Sequence, residues 1–437
     1  MRAKVILNQY CFYFHKWCRL FIHEKGESTL TKTIALAGTF DTKGEEFLYV
    51  KHLIESLGFK TLTIHTGVFR PQFQPDISNE AIFQAAGEDI QSIVAAEDRA
   101  KATLVLSKGM EILLPQLYKA GKFAGVLSFG GSGGTSIVTP GMRALPIGVP
   151  KVMVSTVASG NVAHYVGTSD IMMYPSIVDV AGLNQISTRI FSNAVFAIAG
   201  MLRFENNQKI EQKPLIAATM FGLTTPCINY AKAYVEKQGY EMLVFHATGI
   251  GGKTMESLIE DGFIEGVLDI TTTEWADELV GGVLAAGPNR LEAAAKHHIP
   301  QVVSVGAVDM VNFGPYESVP EKFTGRKFYK HNPTVTLMRT NVDENKRIGE
   351  VIAKKLNLAQ GNTSLILPLK GLSGLDVEGQ PFYGPKEDQM LFQTLKENVD
   401  RTKVQVIELE KAINDRAFAE AAAEKLIQLI EKRKGEK

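Results

Sequence analysis

Two stretches decide the fold: Gly38-Thr39-Phe40-Asp41-Thr42-Lys43-Gly44 and Gly130-Gly131-Ser132-Gly133-Gly134-Thr135. Short apolar runs precede them, residues 33–39 and 124–129, as expected of strands buried on both faces of a parallel sheet. Each loop opens a helix-compatible segment. In open α/β sheets ligands sit beyond the carboxyl ends of strands. A glycine-rich turn at a helix start offers unpaired N–H groups to an anion. A nucleotide or phosphate site in the first half of the chain is therefore expected.

Working outward, Phe47, Val50, Ile54 and Leu57 share one helical face, Gly58 stops that helix, and residues 59–66 read as the next strand. Residues 151–156 form another strand and residues 187–202 a long helix. Strands rich in Val, Ile and Leu that alternate with helices imply a parallel sheet covered on both sides.

The second half repeats this plan. Ala37, Phe40, Gly58, Phe59 and His65 match Ala218, Phe221, Gly239, Tyr240 and His246 at a shift of 181. Gly125-Val126-Leu127 matches Gly266-Val267-Leu268 at 141, so the second copy lacks 40 residues, about one βα unit. The fold class expected is α/β: two related Rossmann-like domains with mainly parallel sheets, an internal duplication. Chance matching on Gly and Val is the plainer alternative. The domains expected are 31–203 and 214–437, joined by a polar run at 204–213 and preceded by an extension at 1–30. Strands are also expected at 334–338, 364–368 and 404–409, before a terminal helix with one charged face.

Composition narrows the function classes. Lysine plus arginine and aspartate plus glutamate each number 47, which disfavours a nucleic-acid partner. Three cysteines, Cys11, Cys18 and Cys227, provide neither a disulfide framework nor a zinc quartet and fit a reducing cytoplasm. Residues 1–30 mix aromatics with charge. They suit neither a signal peptide nor a membrane span, and read as a poorly ordered extension or a misplaced start codon, against a weak membrane-surface or partner-binding arm.

In the first loop, Thr42 as N-cap with Glu45 at N3 reads as a capping box. Lys43 is placed on a phosphate and Asp41 on Mg²⁺ or a ribose hydroxyl. In the second loop, Ser132 and Thr135 add hydroxyls for a phosphate oxygen or a Mg²⁺-bound water. The rival is Ala247-Thr248-Gly249-Ile250-Gly251-Gly252-Lys253-Thr254, which ends like a Walker A loop, with Asp269 where a Walker B aspartate would fall. That spacing wants Gly at 247, where Ala stands. A P-loop-like ATPase using Lys253 stays open as an alternative.

A resemblance sharpens this reading. Residues 38–43, 130–136, 150–160 and 165–170, with His246-Ala247-Thr248-Gly249, Thr271–Glu274, Val303–Gly306 and Asp309–Gly314, resemble one bacterial, fungal and plant family. That family includes the ATP-binding N-terminal region of the tobamovirus-resistance protein. The resemblance runs from Thr33 to the C-terminus, with no matching motif at 77–102. It implies Mg-ATP in the first domain, with Asp41, Thr42, Lys43, Thr66, Gly131, Ser132, Gly133, Gly134, Thr135 and Asp170 as contacts. It also implies a separate TIM-barrel protein as a partner, because the plant protein carries a further barrel-like region; antiviral activity does not transfer. A homo-oligomer is expected.

Candidates for chemistry lie in the second domain. Cys227 at a helix start would be a low-pKa nucleophile, with a buried structural cysteine as the alternative. His246 would be a general base, or simply a packed histidine. Glu274, with Asp277 and Glu278, would bind metal or act as acid and base, or else line a solvated helix face. Asp309 ends another strand, and His331 and Asn332 lie in a loop. The function expected is ATP-dependent chemistry on a small molecule at the interdomain cleft, by phosphoryl transfer or carboxylate activation. The alternative is a non-catalytic nucleotide-binding module that regulates a protein partner.

Overall fold

The computed structural model describes residues 31–89, 91, 93, 98–204, 212–360 and 362–435. The extension at 1–30, with Cys11 and Cys18, and most of the polar join lie outside the described residues. The chain divides into two compact units, Met1–Asn206 and Asn207–Lys437. Among the described residues no helix is long and apolar enough to cross a membrane.

The first unit runs β1 Thr33–Gly38, α1 Gly44–Ser56, β2 Lys60–His65, α2 Asn79–Ala85, α3 Arg99–Lys119, β3 Gly125–Gly130, α4 Ser132–Arg143, β4 Lys151–Ser155, α5 Ala163–Val166, β5 Met172–Pro175 and α6 Gln185–Arg203. All five strands are parallel, in the order β2-β1-β3-β4-β5. Alternation along each strand feeds two cores. Ile34, Leu36, Leu127 and Phe129 pack with α1 and α6 on one face. Ala35, Ala37, Val126 and Met153 pack with α3 and α4 on the other. The long helix starts two residues earlier than expected, at Gln185, because Asn184 and Ser187 cap it reciprocally.

The second unit runs β6 Leu215–Met220, α7 Thr225–Lys237, β7 Glu241–His246, α8 Ile250–Glu260, β8 Ile264–Thr271, α9 Glu274–Val280, α10 Ala293–Lys296, β9 Gln301–Gly306, β10 Met310–Phe313, β11 Phe328–Asn332, β12 Val335–Arg339, α11 Val342–Leu356, β13 Thr363–Pro368, α12 Pro385–Asn398, β14 Val404–Leu409 and α13 Arg416–Gly435. Its parallel sheet has the order β7-β6-β8-β9-β13-β14. That is the first unit's order with one strand added, so the duplication is architectural.

Three details correct the sequence reading. Ile34 pairs with Gly125 and Ile216 with Gly266, so β1 and β6 correspond at a shift of 182 rather than 181. The cores agree: Ile216 and Ala218 face α7 as Ile34 and Leu36 face α1. The 40-residue deficit removes helical chain and no strand, since α2 and α3 lie between β2 and β3 and α8 alone lies between β7 and β8. The strand expected at 334–338 belongs to a separate antiparallel sheet, β10-β12-β11.

In this strand order the chain leaves β1 and β3 in opposite directions, and the crevice between their carboxyl ends is where such sheets bind ligands. The loops after β1 and β3 are the two stretches singled out in the sequence.

Candidate functional site

The carboxyl edge of the first sheet is set by register. Gly38 pairs with His65, Gly130 with Ser155, and Ser155 with Pro175. Asp41, Thr42, Lys43 and Thr66 therefore stand along the same edge as Gly131–Thr135.

Helix α4 begins at Ser132 with Gly131 as N-cap and no side-chain cap. Thr135 N–H is the first to bond back, to Gly131 O at 3.0 Å. This leaves the N–H groups of Ser132, Gly133 and Gly134 without a helical partner. None of these glycines has a positive φ, and a Cβ at Gly130, Gly131, Gly133 or Gly134 would meet nothing closer than 3.5 Å. Neither backbone conformation nor packing calls for glycine here. What these glycines leave is open space above the main chain, which a ligand could approach closely. Arg99 Nη2 lies 4.0 Å from the Cβ position of Gly133, so a guanidinium flanks the unpaired amides. Sequence reasoning missed Arg99, which sits in the stretch that matched no motif.

The hydroxyls divide differently from expectation. Thr135 is buried; its Oγ1 donates to Gly131 O at 2.8 Å and meets Ser155 Oγ at 2.7 Å, so it fastens the loop to β4. The Ser132 hydroxyl makes no such bond among the described residues. In the first loop Lys43, not Thr42, is the N-cap of α1, and Thr42 Oγ1 faces Thr39, so the expected capping box does not form. Lys43 Nζ donates to Val180 O. Asp41 Oδ2 accepts from Phe69 N–H at 3.1 Å, while Asp41 Oδ1 and Thr66 Oγ1 are buried without a partner among the described residues. Those two hard oxygens suit a magnesium ion that a nucleotide brings with it. His65, at the end of β2, accepts from Phe40 N–H at 3.2 Å through Nδ1, with Nε2 on Phe69 O at 2.9 Å.

Asp170 is not brought to this edge. Its Oδ1 meets Lys151 Nζ at 2.5 Å and its Oδ2 accepts from Gly148 N–H at 2.8 Å. Lys151 opens β4 and Ser155 closes it, so Asp170 lies at the opposite end of the strand, roughly 13 Å away at ~3.3 Å per residue. Burial raises the Asp170 carboxyl, but the hydrogen bonds from Lys151 and Gly148 outweigh it, and the group titrates below the usual aspartate range.

A pocket of about 520 Å³ adjoins the glycine loop, formed by Ser155, Thr156 and Ser159 at and beyond the end of β4 and by Pro175–Asp179 at and beyond the end of β5. Thr156 N–H donates to Gly130 O at 3.2 Å, which ties the pocket wall to the end of β3.

The Walker-like loop in the second unit is already filled by the protein. Glu274 Oε1 accepts from Gly249 N–H at 2.7 Å and Gly252 N–H at 3.1 Å. Glu274 Oε2 meets Arg290 Nε at 2.6 Å, and Arg290 grips Asp269 with both remaining nitrogens, at 2.5 and 2.7 Å. The glycines here are required by the fold: a Cβ at Gly251 would lie 1.9 Å from His246 O, and one at Gly252 would lie 2.3 Å from Glu274. An internal carboxylate holds the amides and Asp269 is spent on Arg290. The P-loop reading of Lys253 is corrected accordingly.

The catalytic candidates fare unevenly. Cys227 is wholly buried, and that burial pushes its thiol up to about 12, against the low pKa expected at a helix start. Glu274 and Asp277 are buried rather than on a solvated face. Asp277 accepts from Asn312 N–H at 3.0 Å and Asn312 Nδ2 at 2.7 Å; burial, opposed by those bonds, raises it to about 7. Glu278 accepts from Gly287 N–H at 3.1 Å. Asp309 is buried on Ser373 Oγ at 2.9 Å, pushed up to about 6 by burial against the pull of Arg339. His246 is exposed at the end of β7, its ring 5.6 Å from Phe221, and is not packed in the core. His331 and Asn332 are exposed at the end of β11. Among the described residues no group of three or more His, Cys, Asp or Glu is placed to hold a metal ion.

Two family models match: the N-terminal domain of the Uncharacterised protein family (UPF0261) over residues 32–207 and its C-terminal domain over 213–430. The chain belongs to this family. It is 53% identical over 404 residues to a UPF0261 protein of Clostridium tetani (strain Massachusetts / E88), covering 92% of this chain and 100% of that one. It is 47% identical over 345 residues to the ToMV resistance protein Tm-1(GCR237) of Solanum lycopersicum, covering 77% of this chain and 46% of the tomato protein. Among solved structures, a UDP-N-acetylglucosamine 2-epimerase from Rickettsia bellii aligns over 92% of this chain and 96% of its own. Its identity is 11% and its TM-score 0.21, too low to carry an argument about ligand or reaction.

Proposed function

We propose that the chain is a Mg-ATP-binding protein that holds the triphosphate at the start of α4 and uses it in ATP-dependent chemistry on a small molecule. The observation that carries this reading is the run Gly130–Gly134, whose glycines neither conformation nor packing requires, beside three unpaired amides. A helix terminus alone supplies about 0.3–1 kcal/mol, whereas micromolar binding needs about 8 kcal/mol. Arg99, Lys43 and a magnesium ion on Asp41 and Thr66 supply further charge. Resemblance to the ATP-binding region of the tobamovirus-resistance family supports the same ligand.

A second reading, a nucleotide-binding module without turnover that regulates a protein partner such as a separate TIM-barrel chain, draws on a specific observation. Cys227, Glu274 and Asp309 are all buried and, apart from one oxygen of Asp309, engaged within the fold or packed in its core. Phosphate release from ATP, measured with and without fractionated small-molecule metabolites, separates the two. Release that depends on one fraction supports the enzyme. Tight ATP binding with no release under any fraction supports the module.

A further inference from the structure

The pocket at the ends of β4 and β5 lies beside the glycine loop. Two of its hydroxyls are spent inside the protein: Ser155 Oγ meets Thr135 Oγ1 at 2.7 Å, and Ser176 Oγ donates to Val178 O at 2.6 Å. Thr156 and Ser159 are exposed, and their hydroxyls make no hydrogen bond among the described residues. Asp179 Oδ1 accepts from Val180 N–H at 2.8 Å, which leaves Oδ2 available. One carboxylate oxygen and two hydroxyls thus share a pocket with Pro175, Ile177 and Val178.

Ile177 is placed there against its own preference. Its φ is +67°, and Val178 N–H donates to Ser176 O at 2.7 Å, which closes a three-residue γ-turn. A β-branched residue rarely adopts that conformation. Here it leaves the side chain 70% exposed on the pocket rather than in the core.

We infer that this pocket takes the ribose of the nucleotide, with Asp179 accepting hydrogen bonds from the vicinal hydroxyls and Ile177 covering the carbon face of the ring. The inference rests on the nucleotide reading above. A carboxylate repels phosphate, so the triphosphate lies on the amide side and the uncharged diol on the acid side, as carboxylates read ribose in dinucleotide folds. Contiguity fits: Thr156 Oγ1 lies 3.7 Å from the Cβ position of Gly131, so pocket and phosphate loop share a wall.

Calorimetry on the full chain with three probes, Mg-ATP, Mg-2′,3′-dideoxy-ATP and inorganic tripolyphosphate, tests it. The wild type should bind ATP at least tenfold tighter than the dideoxy analogue. Asp179→Ala should erase that difference and leave tripolyphosphate affinity unchanged. Equal affinity of the wild type for ATP and its dideoxy analogue overturns the ribose assignment while the phosphate site stands. So does a loss in Asp179→Ala that is shared by tripolyphosphate. Failure of all three probes to bind the wild type overturns the nucleotide reading and this inference with it.

Discussion

Glu274 holds in the second unit the chain position that Gly133 holds in the first, 141 residues earlier, and its carboxylate closes the anion site that its own copy would otherwise offer. One carboxyl edge carries open glycines, and the other an internal acid with Arg290 as its counter-ion. Arg290 is almost wholly buried, and burial works against its charge. Asp269, Glu274 and Glu256 more than offset that and raise its pKa.

Arg290→Ala should therefore destabilise the second unit severely. It strands Asp269, Glu274 and Glu256 without their cation, and removing one partner of a buried pair costs about 3–5 kcal/mol. Urea unfolding followed by Trp275 fluorescence in a Trp17→Phe background reads this directly. A loss under about 1 kcal/mol contradicts the assigned role.

Cys227 should be chemically silent in the folded protein. With its thiol near 12 in the core of the second unit, almost no thiolate forms at pH 8. In a Cys11→Ser, Cys18→Ser background, Ellman's reagent should react only after denaturant is added. Rapid native labelling would restore the nucleophile reading.

Asp277 sets a pH dependence of definite sign. Its folded pKa, about 7, lies above its unfolded value, so the stability linked to its protonated form is fully present below about pH 4 and is lost as pH rises through 7. Asn312 Oδ1 has no partner among the described residues, and a side-chain flip lets it accept from a protonated Asp277 or an introduced amide. Asp277→Asn should flatten the thermal-stability profile of the second unit between pH 5 and 8, measured against the wild type. An unchanged profile contradicts the assignment.

Asp170→Asn should weaken the first unit without touching nucleotide affinity. Lys151 is wholly buried at the far end of β4, and losing its charged partner costs about 1–3 kcal/mol. In the wild type the pair's contribution is present above the unfolded aspartate pKa and is lost as pH falls through the lowered folded value. A calorimetric loss of Mg-ATP binding in a folded Asp170→Asn chain would return this residue to the ligand site.

Apolar runs ending in glycine loops made the two parallel sheets legible, because a strand buried on both faces leaves an unbroken Val, Ile and Leu record. The register of β1 against β6 was not legible to better than one residue, since Ala37 matches Ala218 at 181 while Ile34 and Ala35 match Ile216 and Ala217 at 182. Lys253 misled because a helix start after a strand looks alike whether a phosphate or a glutamate from 21 residues downstream fills it. Arg99 was hidden because its nearness to Gly133 arises from the packing of α3 against α4, which no local pattern encodes. Asp170 kept company with ligand residues only in the motif; strand direction puts it at the other edge.

Isothermal calorimetry of Mg-ATP against Gly133→Val, with Lys253→Ala beside it, bears most directly on the phosphate grip. A Cβ at 133 meets only Arg99, at 4.0 Å, so the chain should fold while the valine side chain fills the space above the amides. Binding should fall at least a hundredfold in Gly133→Val and stay unchanged in Lys253→Ala. Undiminished binding in Gly133→Val, or loss only in Lys253→Ala, would place the nucleotide elsewhere.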